Sequence, residues 1–195
     1  HTFDRYFFDG TGTAKDFKGI NTLITEGFGQ LVENSANGGA LTLAKLDEAH
    51  DALRTGTADT MLLNRTLRRK ITTLARETHS GISLIDVGDD SFGRQVMQWN
   101  GVPLGIVGDD ETGTAILGFD EDPGDSTSDC SSIYFIRYGA DEFVCGLLGA
   151  GGSFEVRDFG ETEAAPGHLG RIEWYPGVAV SNKYALVRLD GITNA

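Results

Sequence analysis

Glycine is the feature that most limits what this chain can become. It supplies 27 of the 195 residues, against 4 prolines, about twice its ordinary usage. Glycine enters left-handed backbone at little steric cost but weakens helices and strands from within. A chain punctuated this often turns often, which favours many short strands joined by tight turns. Its apolar content of 39% and its scarce proline argue against a disordered polymer. The length suits one sizeable core, or two lobes sharing one.

Periodicity divides the chain. Phe3, Tyr6 and Phe7 recur at helical spacing and read as core residues in the last turns of a helix, stopped by the run from Asp9 to Thr13. Gly19 to Gly39 carries short apolar clusters among glycines and reads as a loop or short strands. Thr42 is placed to cap a helix running to about Leu53, with Leu43, Leu46, Ala49 and Leu53 on one face. Thr60 to Leu63 is a short continuous apolar run, the pattern of a fully buried strand. Asn64 can cap a second helix whose core stripe is Leu67, Ile71, Leu74 and Ala75. Arg65, Arg68, Arg69 and Lys70 form the other, solvated face of that helix.

Beyond Gly81 the pattern becomes β. Ile82 to Ile85 reads as one strand, and Asn100-Gly101 between Val96–Trp99 and Val102–Val107 is a strong hairpin signal. Asp120 to Asp129 is a polar, acidic loop. Ile133–Arg137, Phe143–Leu148, Phe154–Phe159, Arg171–Tyr175 and Tyr184–Leu189 read as further strands. Helix, strand, helix and then many strands indicate an α+β fold rather than a parallel α/β sheet.

The chemistry-bearing residues form no catalytic constellation. Asp109-Asp110-Glu111 and Asp120-Glu121-Asp122 lack the ligand spacing and glycine of a calcium loop and read as solvated faces. No aromatic platform or fixed spacing makes them a glycosidase pair. Gly149-Ala150-Gly151-Gly152 lacks the Gly-Lys-Ser/Thr ending of a phosphate loop and falls between strands. His50, His79 and His168 share no motif with a nucleophile, and Ser131 and Ser132 sit in no nucleophile elbow. Cys130 and Cys145 are the only cysteines; they form no metal-spaced pair and suit a reducing cytosol. No catalytic residue, cofactor-binding residue or metal ligand is therefore assigned. The net charge of −13 opposes binding along a phosphate backbone. The basic face from Arg65 to Lys70 reads as solvent-exposed or as an intersubunit salt-bridge strip. No apolar run reaches the roughly 18 to 20 residues of a membrane helix, and there is no signal-peptide pattern.

Four stretches together resemble the major capsid proteins of tailed phages, the Hong Kong 97-like fold that encapsulin shells share. Phe7-Phe8-Asp9-Gly10-Thr11-Gly12 followed by Phe17-Lys18-Gly19-Ile20 is similar to the family's exit from its long spine helix, with the acidic Asp9 one place off the usual pattern. The helix from Thr42 to Leu53, then Ala58 to Asn64 and the helix behind it, resembles the axial-domain segment. Trp99-Asn100-Gly101-Val102-Pro103-Leu104 resembles a family hairpin. Ser181 to Ile192 resembles the closing strand with its terminal Gly-Ile.

The resemblance implies an α+β fold with a mixed sheet flanked by helices. Residues 1–16 would end the spine helix of the peripheral domain, 17–140 form the axial domain, and 141–195 supply C-terminal strands shared by both. The implied function is a structural subunit of an icosahedral phage capsid, assembling into pentamers and hexamers around a DNA genome, with no enzymatic activity. An encapsulin-type shell is the alternative, and a small cytosolic hydrolase a third. Implied partners are copies of the chain itself, with scaffold, portal or cement proteins, and neither specific nucleic acid nor membrane. The implied location is the virion, phage or prophage, assembled in the host cytoplasm. The acidic balance suits a shell that does not stick to the DNA it encloses. Polar loops within about Gly27–Gly39 and Asp120–Asp129, without packing of their own, would gather at the rotation axes. The chain starts at His1 without an initiator methionine, directly in apolar periodicity, and reads as a fragment. Family members carry an arm, an extended loop and most of the spine helix upstream. Such a fragment is expected to fold from Phe17 onward, as monomers or small oligomers unable to close a shell alone.

Overall fold

The computed structural model describes residues 2–13, 16–77, 85–89, 95–124, 127, 129–149, 152, 154–161 and 167–194. In chain order the elements are α1 (Thr2–Asp9), α2 (Ile20–Leu23), a π-type turn (Ile24–Phe28), β1 (Gln30–Glu33), α3 (Leu43–Asp51), β2 (Thr60–Leu63) and α4 (Arg65–Glu77). Then come β3 (Ile85–Asp89), β4 (Gln95–Trp99), β5 (Val102–Ile106), β6 (Cys130–Ile136), β7 (Val144–Leu148), β8 (Glu155–Glu161), β9 (His168–Glu173), β10 (Pro176–Val180) and β11 (Leu186–Thr193), the last preceded by a 3-10 turn over Lys183–Ala185.

Seven strands form one sheet in the order β1-β11-β6-β2-β5-β4-β3. It is mixed: β1 runs parallel to β11 and β2 parallel to β5, while the other pairs are antiparallel. The middle of this sheet is buried on both sides, and β6 is buried along its whole length. Side chains alternate across a strand, so Ile133 and Phe135 enter one core while Tyr134 and Ile136 enter another. In the first core, Leu46 and Ala49 of α3 and Leu67 and Ile71 of α4 cover Met61, Leu63, Val102, Leu104, Val187 and Leu189. In the second, Phe8, Ile20 and Ile24 cover Tyr134, Ile136 and Leu186.

The expected caps form. Thr42 Oγ1 accepts from Lys45 N at 3.3 Å. Asn64 Oδ1 accepts from Leu67 N at 2.8 Å, while its buried Nδ2 donates to Leu117 O and to Ser131 Oγ, both at 3.0 Å. Asn100 and Gly101 take φ values of 49° and 79°, the double left-handed turn that joins twisted antiparallel strands.

Several sequence expectations are corrected. Within Gly19–Gly39 the chain forms α2 and its π-type turn before β1, because Ile20, Leu23 and Ile24 share a face that the sheet buries. In α1 the buried ring is Phe8; Phe3 and Tyr6 are each 37% exposed, since the stripe they form faces away from the sheet. Arg68 does not lie on a solvated face: it is half-buried, and its Nε is enclosed without a hydrogen-bond partner among the described residues. Thr60 and Leu62 are only partly buried. Strand β10 was not legible, because Pro176-Gly177-Val178-Ala179-Val180 opens on two residues that read as a turn. The strand expected at Ile82–Leu84 and the turn at Ala150–Gly151 lie outside the described residues.

Candidate functional site

The sequence-predicted chemical groups do not converge. Asp110 closes its own loop, accepting from Thr112 N at 2.8 Å and Thr114 N at 2.9 Å, with Arg5 Nη1 at 3.3 Å. The Thr112 hydroxyl and these amides hold its carboxyl below the usual range. Asp122 accepts from Gly124 N at 2.8 Å. His50 packs its ring beside Trp99 and Phe135, His168 is exposed on β9, and His79 lies outside the described residues. Cys130 is buried in β6 and Cys145 half-buried in β7. Among the described residues no three His, Cys, Asp or Glu side chains are placed to hold a metal ion. No described helix is long and apolar enough to cross a membrane.

What the sequence reading missed is a polar network beneath α2. Ser132 donates to Glu121 Oε2 in a short hydrogen bond. Arg188 Nε donates to Ser132 Oγ at 2.9 Å, and its Nη2 lies 3.0 Å from Glu121 Oε2. The Arg188 guanidinium also lies over the Tyr134 ring. Tyr134 Oη donates to Asn21 Oδ1 at 2.5 Å, and Asn21 Nδ2 to Asp9 Oδ1 at 2.6 Å, which ties α1 and α2 to the sheet. Burial pushes the Glu121 carboxyl up, against the pull of Arg188 and Ser132. Burial pushes the Tyr134 phenol up as well. A lone arginine in Leu186-Val187-Arg188-Leu189 was the available signal; its partner, in a distant loop, was not.

Gly38 has φ +73°, and a Cβ there would meet Cys130 Sγ at 2.7 Å and Pro123 Cγ at 3.3 Å. The segments near Ala36–Gly39 and Pro123–Gly124 therefore pack on each other, contrary to the expectation that both lack packing.

An exposed apolar surface lies on an antiparallel arm. Val144 pairs with Val180 and Leu148 with Pro176 in β7–β10, Gly149 N bonds to Tyr175 O at 2.9 Å, and β8–β9 carries the pairing on from Glu155–Glu173. The arm's base is anchored by Val144, Val178 and Val180 in the second core. Toward its tip exposure climbs: Val156 and Ile172 are each 69% exposed, Phe154 61% and Trp174 38%. Trp174 lies 5.1 Å from the Phe154 ring and 5.2 Å from Phe3, and Phe3 lies 5.5 Å from Phe17. A cleft of about 540 Å³ opens beside these rings, lined also by Tyr6, Asp16, Tyr175 and Pro176.

No family model matches the chain, and no curated protein matches it. Solved structures do. The holo-SrpI encapsulin complex of Synechococcus elongatus is similar over 91% of this chain at 20% identity, with a TM-score of 0.67. The capsid of a native GTA particle is similar over 98% at 15% identity, with a TM-score of 0.53. The chain spans 57% and 61% of the length of those two proteins. At such identities the likeness concerns the fold: a mixed sheet with four helices, the fold of capsid and encapsulin shell proteins.

Proposed function

We propose that this chain is a structural subunit of an icosahedral phage capsid with a Hong Kong 97-like fold, which assembles with copies of itself into pentamers and hexamers around a DNA genome in the host cytoplasm. The observation that carries this reading is a fold likeness running through nearly the whole chain to two shell-forming proteins. The exposed arm is in keeping with it, because apolar surface left bare on one subunit marks contact with another. The proposed domains are 1–16 and 17–140, with 141–195 shared between them; β11 returning to the main sheet beside β6 supports the sharing. The segments near Gly38 and Pro123 are the proposed contacts at the rotation axes. The role is architectural, with no catalytic step. Scaffold, portal or cement proteins are further proposed partners.

A second reading, an encapsulin-type shell, is favoured by the higher of the two TM-scores, that of the encapsulin complex. Electron microscopy and sedimentation velocity of the purified chain test the common part. Small oligomers up to capsomer size are expected; a monomer at every concentration and salt would contradict it. Packaged DNA or packaged protein in the particles separates the two readings.

A further inference from the structure

The two faces of the β8–β9 ribbon are unlike. Its register sets Val156 opposite Ile172, Arg157 opposite Arg171 and Glu155 opposite Glu173. Alternation across each strand then gathers Val156 and Ile172 on one face, in line with Phe154 and Trp174. The other face carries Glu155, Arg157, Arg171 and Glu173, whose charges pair, with the exposed Phe159 under Arg171 and Leu169 beside them. Arg157 Nη2 lies 2.7 Å from Glu155 Oε1, and Arg171 Nη2 lies 2.7 Å from Glu173 Oε1. On the apolar face Asp158 lies 3.9 Å from His168 Nδ1, and among the described residues Val156 and Ile172 remain mostly exposed. Through the Phe154–Trp174–Phe3 rings this face continues onto α1 without a polar break.

We infer that this apolar face of the arm, continued by the α1 rings, docks on a second copy of this chain, while the Arg157–Arg171 face stays in solvent. The inference rests on the shell reading and adds the surface that performs it. Area supports the occupant: Val156, Ile172 and the four exposed rings of Phe3, Tyr6, Phe154 and Trp174 leave roughly 600 Å² bare. That is at the top of the range for the largest patch of an ordinary monomer and is most of the ~800 Å² each partner gives to a standard interface. Charge supports it too. Copies carrying −13 each repel one another over most of their surface, and this strip, with Asp16 and Asp158 at its margins, is where they can close. An isolated two-stranded ribbon is marginal in water, so the arm gains order from whatever covers it.

The test compares the chain with its V156D/I172D double variant by light scattering and sedimentation velocity over a concentration series. Both positions are largely exposed, so the folded core is untouched. The double variant should raise the midpoint of assembly roughly a hundredfold, while R157S/R171S on the opposite face should move it less than about twofold. An unchanged midpoint in V156D/I172D, with the unaltered chain assembling, overturns the docking surface and leaves the shell reading intact. A chain that never assembles overturns both, and binding to phosphatidylcholine vesicles in place of self-association would assign the strip to lipid instead. A second readout needs no variant. The two tryptophans are Trp99, buried, and Trp174, exposed, so assembly should shift tryptophan emission to the blue through Trp174. Assembly without that shift overturns the inference.

Discussion

The seven-stranded sheet and the arm from β7 to β10 are built from the same alternating strands, yet they meet opposite fates. In the middle of the sheet each apolar set finds a cover, while Leu31, Val87 and Ile106 away from it stay about half or more exposed. Helices α3 and α4 close one face, α1 and α2 the other, and β6 is buried throughout. In the arm only the base reaches a core, and the tip leaves Val156 and Ile172 mostly exposed. Strand pattern therefore decides which side chains share a face, and neighbours decide whether that face is satisfied. Among the described residues the middle of the sheet is covered, and the tip of the arm is left bare.

That contrast is sharpened first by Leu67→Ala. Leu67 is fully buried between α4 and the sheet, and its loss should cost about 2 to 5 kcal/mol in a denaturant titration. Asn64→Ala comes next. It removes a helix cap and strands two buried partners, Leu117 O and Ser131 Oγ, so about 2 to 3 kcal/mol should go. A smaller effect separates the polar network from the rest. Burial raises the Glu121 carboxyl above its ordinary 4.5, so the folded chain binds that proton more tightly than the unfolded one. Stability from this group is fully present below the unfolded value and is lost as pH rises through the folded one. Asp190, raised chiefly by burial, acts in the same direction. Glu121→Gln should therefore flatten the decline in stability as pH rises above about 4.5 in thermal melts at graded pH. Smallest of all, Val156→Ala in the dilute chain should change stability by less than about 0.5 kcal/mol. A loss there as large as at Leu67 would erase the distinction between the two regions.

Much of the sheet was legible in the sequence, because local chemistry settles it. Thr42 and Asn64 announce caps through their side-chain oxygens, and Asn100-Gly101 announces a hairpin through the left-handed backbone it tolerates. What was illegible depends on partners far along the chain. Ile20, Leu23 and Ile24 sit among glycines and become helical only because the sheet offers them a face. Phe3 and Tyr6 have the spacing of core residues, but periodicity cannot say which side of a helix meets the core, and Phe8 took that place. Arg188 shows as an anomaly in an apolar strand, whereas Glu121 and Ser132 become its partners only through the fold. The candidate surface is the extreme case. Phe154–Phe159 and Arg171–Tyr175 read as strands, but their nakedness cannot be seen until the sheet is found to hold no place for them.

Hydrogen exchange followed amide by amide, in dilute and in assembled chain, tests the central claim most directly. The account predicts that β6 and β11 are strongly protected in both states, while β8 and β9 exchange quickly in the dilute chain and slow markedly on assembly. Ribbon amides as protected as those of β6 in the dilute chain, or unchanged by assembly, would contradict it.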